Sequence, residues 1–234
     1  MTVDPRGAHR VPASGSRLVV RRVPPRARGA VLLLHGGRSE ALEPPPLLDL
    51  PAARMRLFAP PLLRAGRRDL IAVAQVRYGH RGWNGEREDA LHDAREALRD
   101  LTERVGDVPV VLVGHSMGGR AALRLAGHPQ VRGVVALAPW CPPGEPVGHL
   151  RGRQVAVLHD QHDRVTAARE AWEFLARAER AGATTVAVRM RKGGHTMLRD
   201  ARTWHRTTAS LAVGMLGLVP LPDGADGDPP QGFG

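Results

Sequence analysis

Short apolar runs recur along the chain, separated by longer stretches in which apolar and polar residues alternate with a helical period. Runs that are apolar at every position are typical of strands buried on both faces of a parallel sheet. Leu18–Val23, near the start of the chain, predicts an additional strand near the sheet edge. The other predicted strands are Val31–Leu34, Ile71–Val76, Val108–Val113, Val134–Ala138, Val155–Leu158 and Val186–Met190.

The amphipathic stretches between these runs predict helices. Arg87–Val105 repeats its apolar residues every three or four positions, and Ala167–Ala181 does the same. Leu198–Leu216 predicts the last helix. Alternating strands and helices predict an α/β fold, with a mostly parallel central sheet and helices on both faces. Functional side chains in such sheets collect at the carboxyl ends of the strands.

The chain of 234 residues is long enough for one domain with a sizeable core. Residues 1–16 predict a flexible arm, residues 17–219 the domain, and the Pro-, Gly- and Asp-rich residues 220–234 a disordered tail. The apolar runs are shorter than the ~20 residues needed to span a bilayer, and the first residues lack the apolar core of a signal peptide. Cys141 is the single cysteine, which excludes an internal disulfide. We therefore expect a soluble, cytoplasmic protein.

Charge is the unusual part of the composition. The formal net charge is +11, and Lys192 is the one lysine among 34 basic residues. A basic stripe would indicate a nucleic-acid partner, but these arginines are scattered and aromatic residues make up only 3% of the chain. We therefore expect no nucleic-acid partner, and we interpret the arginine content as a compositional bias.

The sharpest motif is Gly114-His115-Ser116-Met117-Gly118, which lies between a predicted strand and a predicted helix. G-x-S-x-G in that context is a nucleophile elbow, in which a tight turn raises the serine hydroxyl above the sheet. A serine hydroxyl becomes a nucleophile when a base removes its proton. Ser116 is therefore the candidate nucleophile.

The candidate base is His195, which follows the last predicted strand after a pair of glycines. Asp163 is the preferred acid because Asp163-Arg164-Val165 leads into the following helix, and Asp160 is its rival. The acid would hold the imidazole in the catalytic tautomer. His159 and His162 beside the two aspartates suggest a metal site as an alternative, but no other ligand spacing supports one, and we expect no metal.

His35-Gly36-Gly37 follows the first central strand, and its small residues allow a backbone N–H to approach a substrate oxygen. The N–H groups of Gly37 and Met117 would form an oxyanion hole. Arg38, Tyr78, Trp83 and Trp140 follow predicted strands and are candidates for the substrate pocket. Trp83 anchoring its loop, and Trp140 capping the core, are the alternatives.

With these motifs the chain resembles the α/β-hydrolase superfamily, most closely compact bacterial esterases, lipases and dienelactone hydrolases. The resemblance covers roughly residues 18–219 and implies a Ser116–Asp163–His195 triad and no cofactor. The sequence departs from the family in three places. The oxyanion turn has two glycines, which argues against the esterase branch that has three, and Asp160 stands where relatives often have glycine. Many relatives carry a helical lid after the sixth strand, whereas residues 140–154 are too short and too rich in Pro and Gly to form one.

The expected function is hydrolysis of an ester-type bond in a small soluble acyl substrate through an acyl-enzyme. Thioesters, lactones, amides and acyl transfer use the same machinery, and the sequence does not determine the oligomeric state. Two alternatives from other classes remain: a ligand-binding protein that has lost turnover, and a basic nucleic-acid-binding protein.

Overall fold

A seven-stranded sheet forms the centre of the computed structural model, which describes residues 17–221. The strand order is β1-β3-β2-β4-β5-β6-β7, with β1 antiparallel to β3 and every other pair parallel. This confirms the predicted α/β class and the position of β1 at the edge. The strands are β1 Leu18–Arg22, β2 Gly29–Leu34, β3 Ile71–Val76, β4 Val110–His115, β5 Val131–Leu137, β6 Gln154–Asp160 and β7 Thr184–Met190.

Two apolar cores lie on opposite faces of this sheet. Strand β2 shows how they arise, since Leu32 and Leu34 enter one core while Val31 and Leu33 enter the other. Side chains alternate along a strand, so a strand covered by helices on both sides is expected to be apolar at nearly every position. Three helices pack on the Leu32 face, α3 Asp89–Val105, α4 Met117–Leu125 and α5 Ala168–Arg180. Three pack on the Val31 face, α1 Leu50–Arg56, α2 Ala59–Ala65 and α6 Ala201–Met215.

Helices α1 and α2 were not predicted from the sequence, because the prolines around them resemble a loop. Pro51, however, lies in the first turn of α1, where the ring removes an N–H that has no helical acceptor. The carboxylate of Asp49 caps the same helix by accepting the Ala52 N–H at 3.2 Å. The buried side chains of Met55, Phe58 and Leu62 then close the second core.

The connection from β5 to β6 confirms the expected absence of a lid. Residues 138–153 contain one helical element, the single 3-10 turn Gly148–Leu150. No helix within residues 17–221 is both long and apolar enough to cross a membrane. The predicted arm at residues 1–16 lies outside the described residues, as does the predicted tail apart from positions 220 and 221.

Candidate active site

The serine of the elbow lies where β4 ends and α4 begins. Ser116 has φ 53° and ψ −119°, a conformation that L-residues rarely adopt. The residue is buried, with 7% of its surface exposed. The turn requires its glycines, because a Cβ on Gly114 would overlap the Gly118 carbonyl. A Cβ on Gly118 would overlap the carbonyl oxygens of Leu34 and His35. The local sequence thus raises one hydroxyl at the carboxyl edge of the sheet.

A chain of close contacts joins this hydroxyl to an acid. His195 Nε2 lies 3.0 Å from Ser116 Oγ, and His195 Nδ1 lies 2.9 Å from Asp163 Oδ2. These are the distances of a nucleophile, a base and an orienting carboxylate. The three side chains come from the loops after β4, β6 and β7, so the sheet brings together residues that are 79 and 32 positions apart in sequence.

Asp163 is held ionised inside the protein. Burial alone would raise the pKa of its carboxyl, but the Val165 N–H at 2.8 Å and the His195 ring keep that pKa below its ordinary value. The side chain is fully buried. With Asp163 ionised, His195 Nδ1–H donates to Oδ2, and the Nε2 lone pair faces the serine hydroxyl.

Asp160 has a different set of partners from Asp163. Its Oδ2 accepts the Gly194 N–H at 2.9 Å, and its Oδ1 accepts the His162 N–H at 2.9 Å. Burial acts to raise the pKa of Asp160, but these N–H donors lower it overall. The rival carboxylate therefore ties the loop that carries His195 to the loop after β6.

Three residues of the site were missed by sequence reasoning. Thr166 Oγ1 lies 3.0 Å from Asp163 Oδ2 and 3.2 Å from His195 Nδ1. His159, considered earlier only as a metal ligand, is fully buried with Nε2 3.2 Å from Asp163 Oδ2. His115 donates Nε2–H to the His195 backbone oxygen at 2.8 Å, and burial lowers its pKa to about 3, so its ring stays neutral. His115 sits beside Ser116 in the elbow, which is the one sequence signal among the three.

Gly37 and Met117, whose N–H groups are the predicted oxyanion donors, are neighbours in the structure. Met117 is the first residue of α4, so its N–H has no acceptor within the helix. Gly37 follows β2 under the Met117 side chain, and a Cβ there would overlap the thioether. Within residues 17–221 neither N–H donates to an acceptor. Two donors of this kind beside a serine suit an oxygen that gains negative charge.

Two clefts open beside the site. One, of about 270 Å³, lies at the oxyanion turn, with Gly37 and Arg38 on one side and the wall Pro45–Pro51 on the other. The second, of about 750 Å³, is lined by His195 and by the loops after β6 and β7. The wall Pro45–Pro51 was not foreseen, and of the loop 78–85 only Arg81 lines the first cleft.

The aromatic pocket candidates occupy other places. Tyr78 and Trp83 are each 2% exposed, so they pack in the core and do not face a cleft, unlike the expectation from their loop position. Trp83 and the half-buried Trp140 enclose the Arg120 guanidinium, at 4.0 and 4.5 Å from their ring centroids. Arg120 also pairs with the buried Glu145 at 2.5 Å. This cluster, Trp83–Arg120–Trp140–Glu145, fixes the short β5–β6 connection to helix α4.

The histidines and aspartates of the acid loop contact one another in two pairs. His159 faces Asp163, while His162 faces Asp160 with Nδ1 3.3 Å from Oδ1. Within each pair, the nitrogen and oxygen atoms that could bind a metal therefore face one another. Across residues 17–221 no three His, Cys, Asp or Glu side chains are grouped so that they could hold one ion.

Most of the chain matches one known protein family. A sequence model of the alpha/beta hydrolase family matches residues 31–231, which include every residue of the site. A search of curated proteins gives no significant match.

Solved structures share the fold at low sequence identity. A monoacylglycerol lipase from Paleococcus ferrophilus is 15% identical, with a TM-score of 0.62 over 85% of this chain and 99% of that one. A CIB-like hydrolase from Thermoplasma acidophilum is 18% identical, with a TM-score of 0.59 over 82% and 89%. An alpha-beta serine hydrolase homologue from Coxiella burnetii is 14% identical, with a TM-score of 0.59 over 82% and 90%.

Proposed function

Because the chain belongs to the alpha/beta hydrolase family, we propose that it is a serine hydrolase that cleaves an ester-type bond through an acyl-enzyme. The observation that carries the proposal is the contact chain from Ser116 Oγ through the His195 ring to Asp163 Oδ2, at 3.0 and 2.9 Å. A buried ionised carboxylate, a correctly oriented imidazole and a serine on an elbow together supply a nucleophile.

The mechanism follows from the positions of these groups. His195 Nε2 takes the Ser116 proton while Oγ forms a bond to the substrate carbonyl carbon. The oxygen of that carbonyl becomes an anion, and the N–H groups of Gly37 and Met117 donate to it. His195 Nε2–H then gives its proton to the leaving oxygen, and the carbon–oxygen bond breaks. Water, deprotonated by the same ring, attacks the acyl carbon; the bond from that carbon to Ser116 Oγ breaks, His195 returns the proton to Oγ, and the acid is released.

We infer a small acyl portion from the size of the first cleft. Its volume of about 270 Å³ lies just below the range of small-molecule pockets, which span roughly 300–1,000 Å³. The wall formed by Pro45–Pro51 is apolar apart from Asp49, which caps α1. Because each buried methylene contributes only ~0.8 kcal/mol and this cleft takes few of them, long acyl chains gain little over short ones.

A panel of 4-nitrophenyl esters of increasing chain length tests the proposal. We expect turnover of the short esters, labelling of Ser116 by a fluorophosphonate probe, and loss of both in Ser116→Ala. Labelling separates this proposal from the alternative of a ligand-binding protein without turnover, for which Ser116 would stay unlabelled. Turnover that persists in Ser116→Ala would reject the assignment.

A further inference from the structure

The cleft of about 750 Å³ beside His195 is strongly basic. Four cationic side chains line it together with the catalytic ring: Arg164 from the loop after β6, and Arg191, Lys192 and Arg199 from the segment after β7. All four residues are exposed. Two separate loops therefore bring positive charge to one concavity that also contains the base.

These four cations are not neutralised by the protein. None of them makes an ion pair with an acidic residue in the described part of the chain. The one carboxylate that lines the cleft is Asp160, and both its oxygens already accept backbone N–H groups, from Gly194 and His162. A concave wall with uncompensated charge concentrates anions.

Several arginines elsewhere around the site do have acidic partners. Arg120 pairs with Glu145 at 2.5 Å, Arg124 pairs with Glu88, and Arg81 on the first cleft pairs with Glu43 at 3.3 Å. Within residues 17–221, Arg38 on the first cleft also lacks an ion pair, so the distinguishing feature of the His195 cleft is that four such cations line one concavity.

The chemistry of the proposed reaction fixes which half of the substrate lies here. The oxyanion faces Gly37 and Met117, whereas the leaving oxygen must reach His195 Nε2 to receive its proton. The group that departs is thus on the His195 side, where the second cleft opens. The acyl portion is left to the first cleft at the oxyanion turn.

We propose that the cleft lined by Arg164, Arg191, Lys192 and Arg199 binds an anionic leaving group, so that the substrates are esters whose alcohol portion carries a carboxylate or phosphate. This proposal rests on the serine-hydrolase function. In the reaction the Ser116 Oγ–carbon bond forms, the bond from carbon to the alcohol oxygen breaks, and the proton on His195 Nε2 goes to that oxygen. Water then completes the hydrolysis, so no further reactant is needed.

The test compares two acetate esters that differ in leaving-group charge: 4-nitrophenyl acetate and 3-carboxy-4-nitrophenyl acetate. The double variant Arg191→Gln/Arg199→Gln should lower kcat/KM for the anionic ester, relative to the neutral one, by about tenfold. Arg132→Gln is the matched control, since Arg132 is exposed, lacks an ion pair within residues 17–221, and lies near the amino end of β5, away from the site. It removes one positive charge, half of what the double variant removes, and should leave the ratio unchanged.

Two further measurements sharpen the result. Raising salt from about 0.02 M to about 0.5 M should reduce the wild-type preference, because exposed charges are screened. Placing the charge on the acyl side, with mono-4-nitrophenyl succinate against 4-nitrophenyl butyrate, should give a ratio that the double variant changes much less. A ratio for the acetate pair that is equal in wild type and double variant would overturn the proposal.

Further outcomes distinguish a soluble anionic alcohol from a lipid headgroup, and failure of the subsite from failure of the hydrolase function. Inhibition by glycerol 3-phosphate that weakens in the double variant would indicate a soluble alcohol, whereas binding only to vesicles containing phosphatidylglycerol would indicate a lipid headgroup. If neither ester reacts and Ser116 stays unlabelled, the serine-hydrolase function fails, and the subsite proposal fails with it. If the neutral ester reacts but the ratio is insensitive to the variant, the subsite alone is rejected.

Discussion

Replacing Asp163 by asparagine isolates the role of the carboxylate that faces His195. Oδ1 accepts the backbone N–H groups of Val165 and Thr166, at 2.8 and 3.3 Å, and an asparagine oxygen preserves both contacts. The new amide NH₂ then occupies the Oδ2 position, 2.9 Å from His195 Nδ1. Two donors cannot share that contact, so His195 must place its proton on Nε2, which faces Ser116 Oγ. The fold remains while the base is lost.

The magnitude follows from this change of tautomer. In serine proteases an equivalent substitution lowers kcat about 10⁴-fold. Here Thr166 Oγ1 and His159 Nε2 also lie within 3.2 Å of Asp163 Oδ2, so they too lose their acceptor. We expect a loss of about 10³- to 10⁴-fold in kcat for a short 4-nitrophenyl ester, equal to ~4–5.5 kcal/mol of transition-state stabilisation.

Asp160→Asn is the matched control, because it makes the same chemical change three residues away. One of its two backbone donors, the N–H of Gly194 or of His162, would face an NH₂ group. The expected loss is ~1–3 kcal/mol of unfolding free energy, with a fall in kcat of about tenfold from the displaced His195 loop. Steady-state kinetics and urea unfolding measure both quantities. If Asp160→Asn lowers kcat more than Asp163→Asn, the acid has been assigned to the wrong residue.

Four other predictions follow from the structure. Ser116→Ala should lower turnover by about 10⁴-fold or more without loss of the fold, as circular dichroism would check. Gly118→Ala should cost about 3 kcal/mol of unfolding free energy because its Cβ meets backbone oxygens, whereas Gly148→Ala, with open space at that point, should stay within ~0.5 kcal/mol. His115 is neutral with a pKa near 3 in the folded protein against an ordinary 6.5, so unfolding binds a proton as the pH falls from 6.5 toward 3. His115 should therefore lower the free energy of unfolding by up to about 1.4 kcal/mol for each unit that the pH falls. Urea titrations at pH 6, 5 and 4 should show that His115→Gln removes this contribution. Finally, the rate of hydrolysis of short esters should follow the concentration of dissolved, unaggregated ester. An abrupt rise in this rate above the solubility limit of the ester would contradict the reasoning from the absent lid.

Local sequence patterns were sufficient to predict the sheet and the nucleophile elbow. Strands covered on both faces are apolar at nearly every position, so runs such as Val31–Leu34 can be recognised in the sequence alone. Helices α1 and α2 were missed because Pro51, Pro60 and Pro61 resemble loop residues, although a proline is tolerated in the first turn of a helix. The wall Pro45–Pro51 of the first cleft was missed for the same reason.

Site residues could be predicted from the sequence only where they lie within a few positions of a strand's carboxyl end. Ser116, Asp163 and His195 each come after a predicted strand, so the topology alone brings them to one edge. The contacts of His159 and Thr166 depend on how one loop folds, which no period or spacing encodes. The burial of Trp83 likewise depends on Arg120, a residue 37 positions later in the chain.

The backbone conformation at position 116 favours glycine for stability, whereas the proposed function requires serine. At φ 53° and ψ −119° any residue with a Cβ is strained, whereas glycine adopts such angles readily. Alanine normally gives a more stable protein than glycine, but at position 116 we expect the order to reverse, with Ser116→Gly exceeding Ser116→Ala by ~1 kcal/mol or more. Selection for a durable fold alone would therefore favour an inactive glycine here. The serine side chain that would make this protein an enzyme therefore occupies a backbone conformation that strains it.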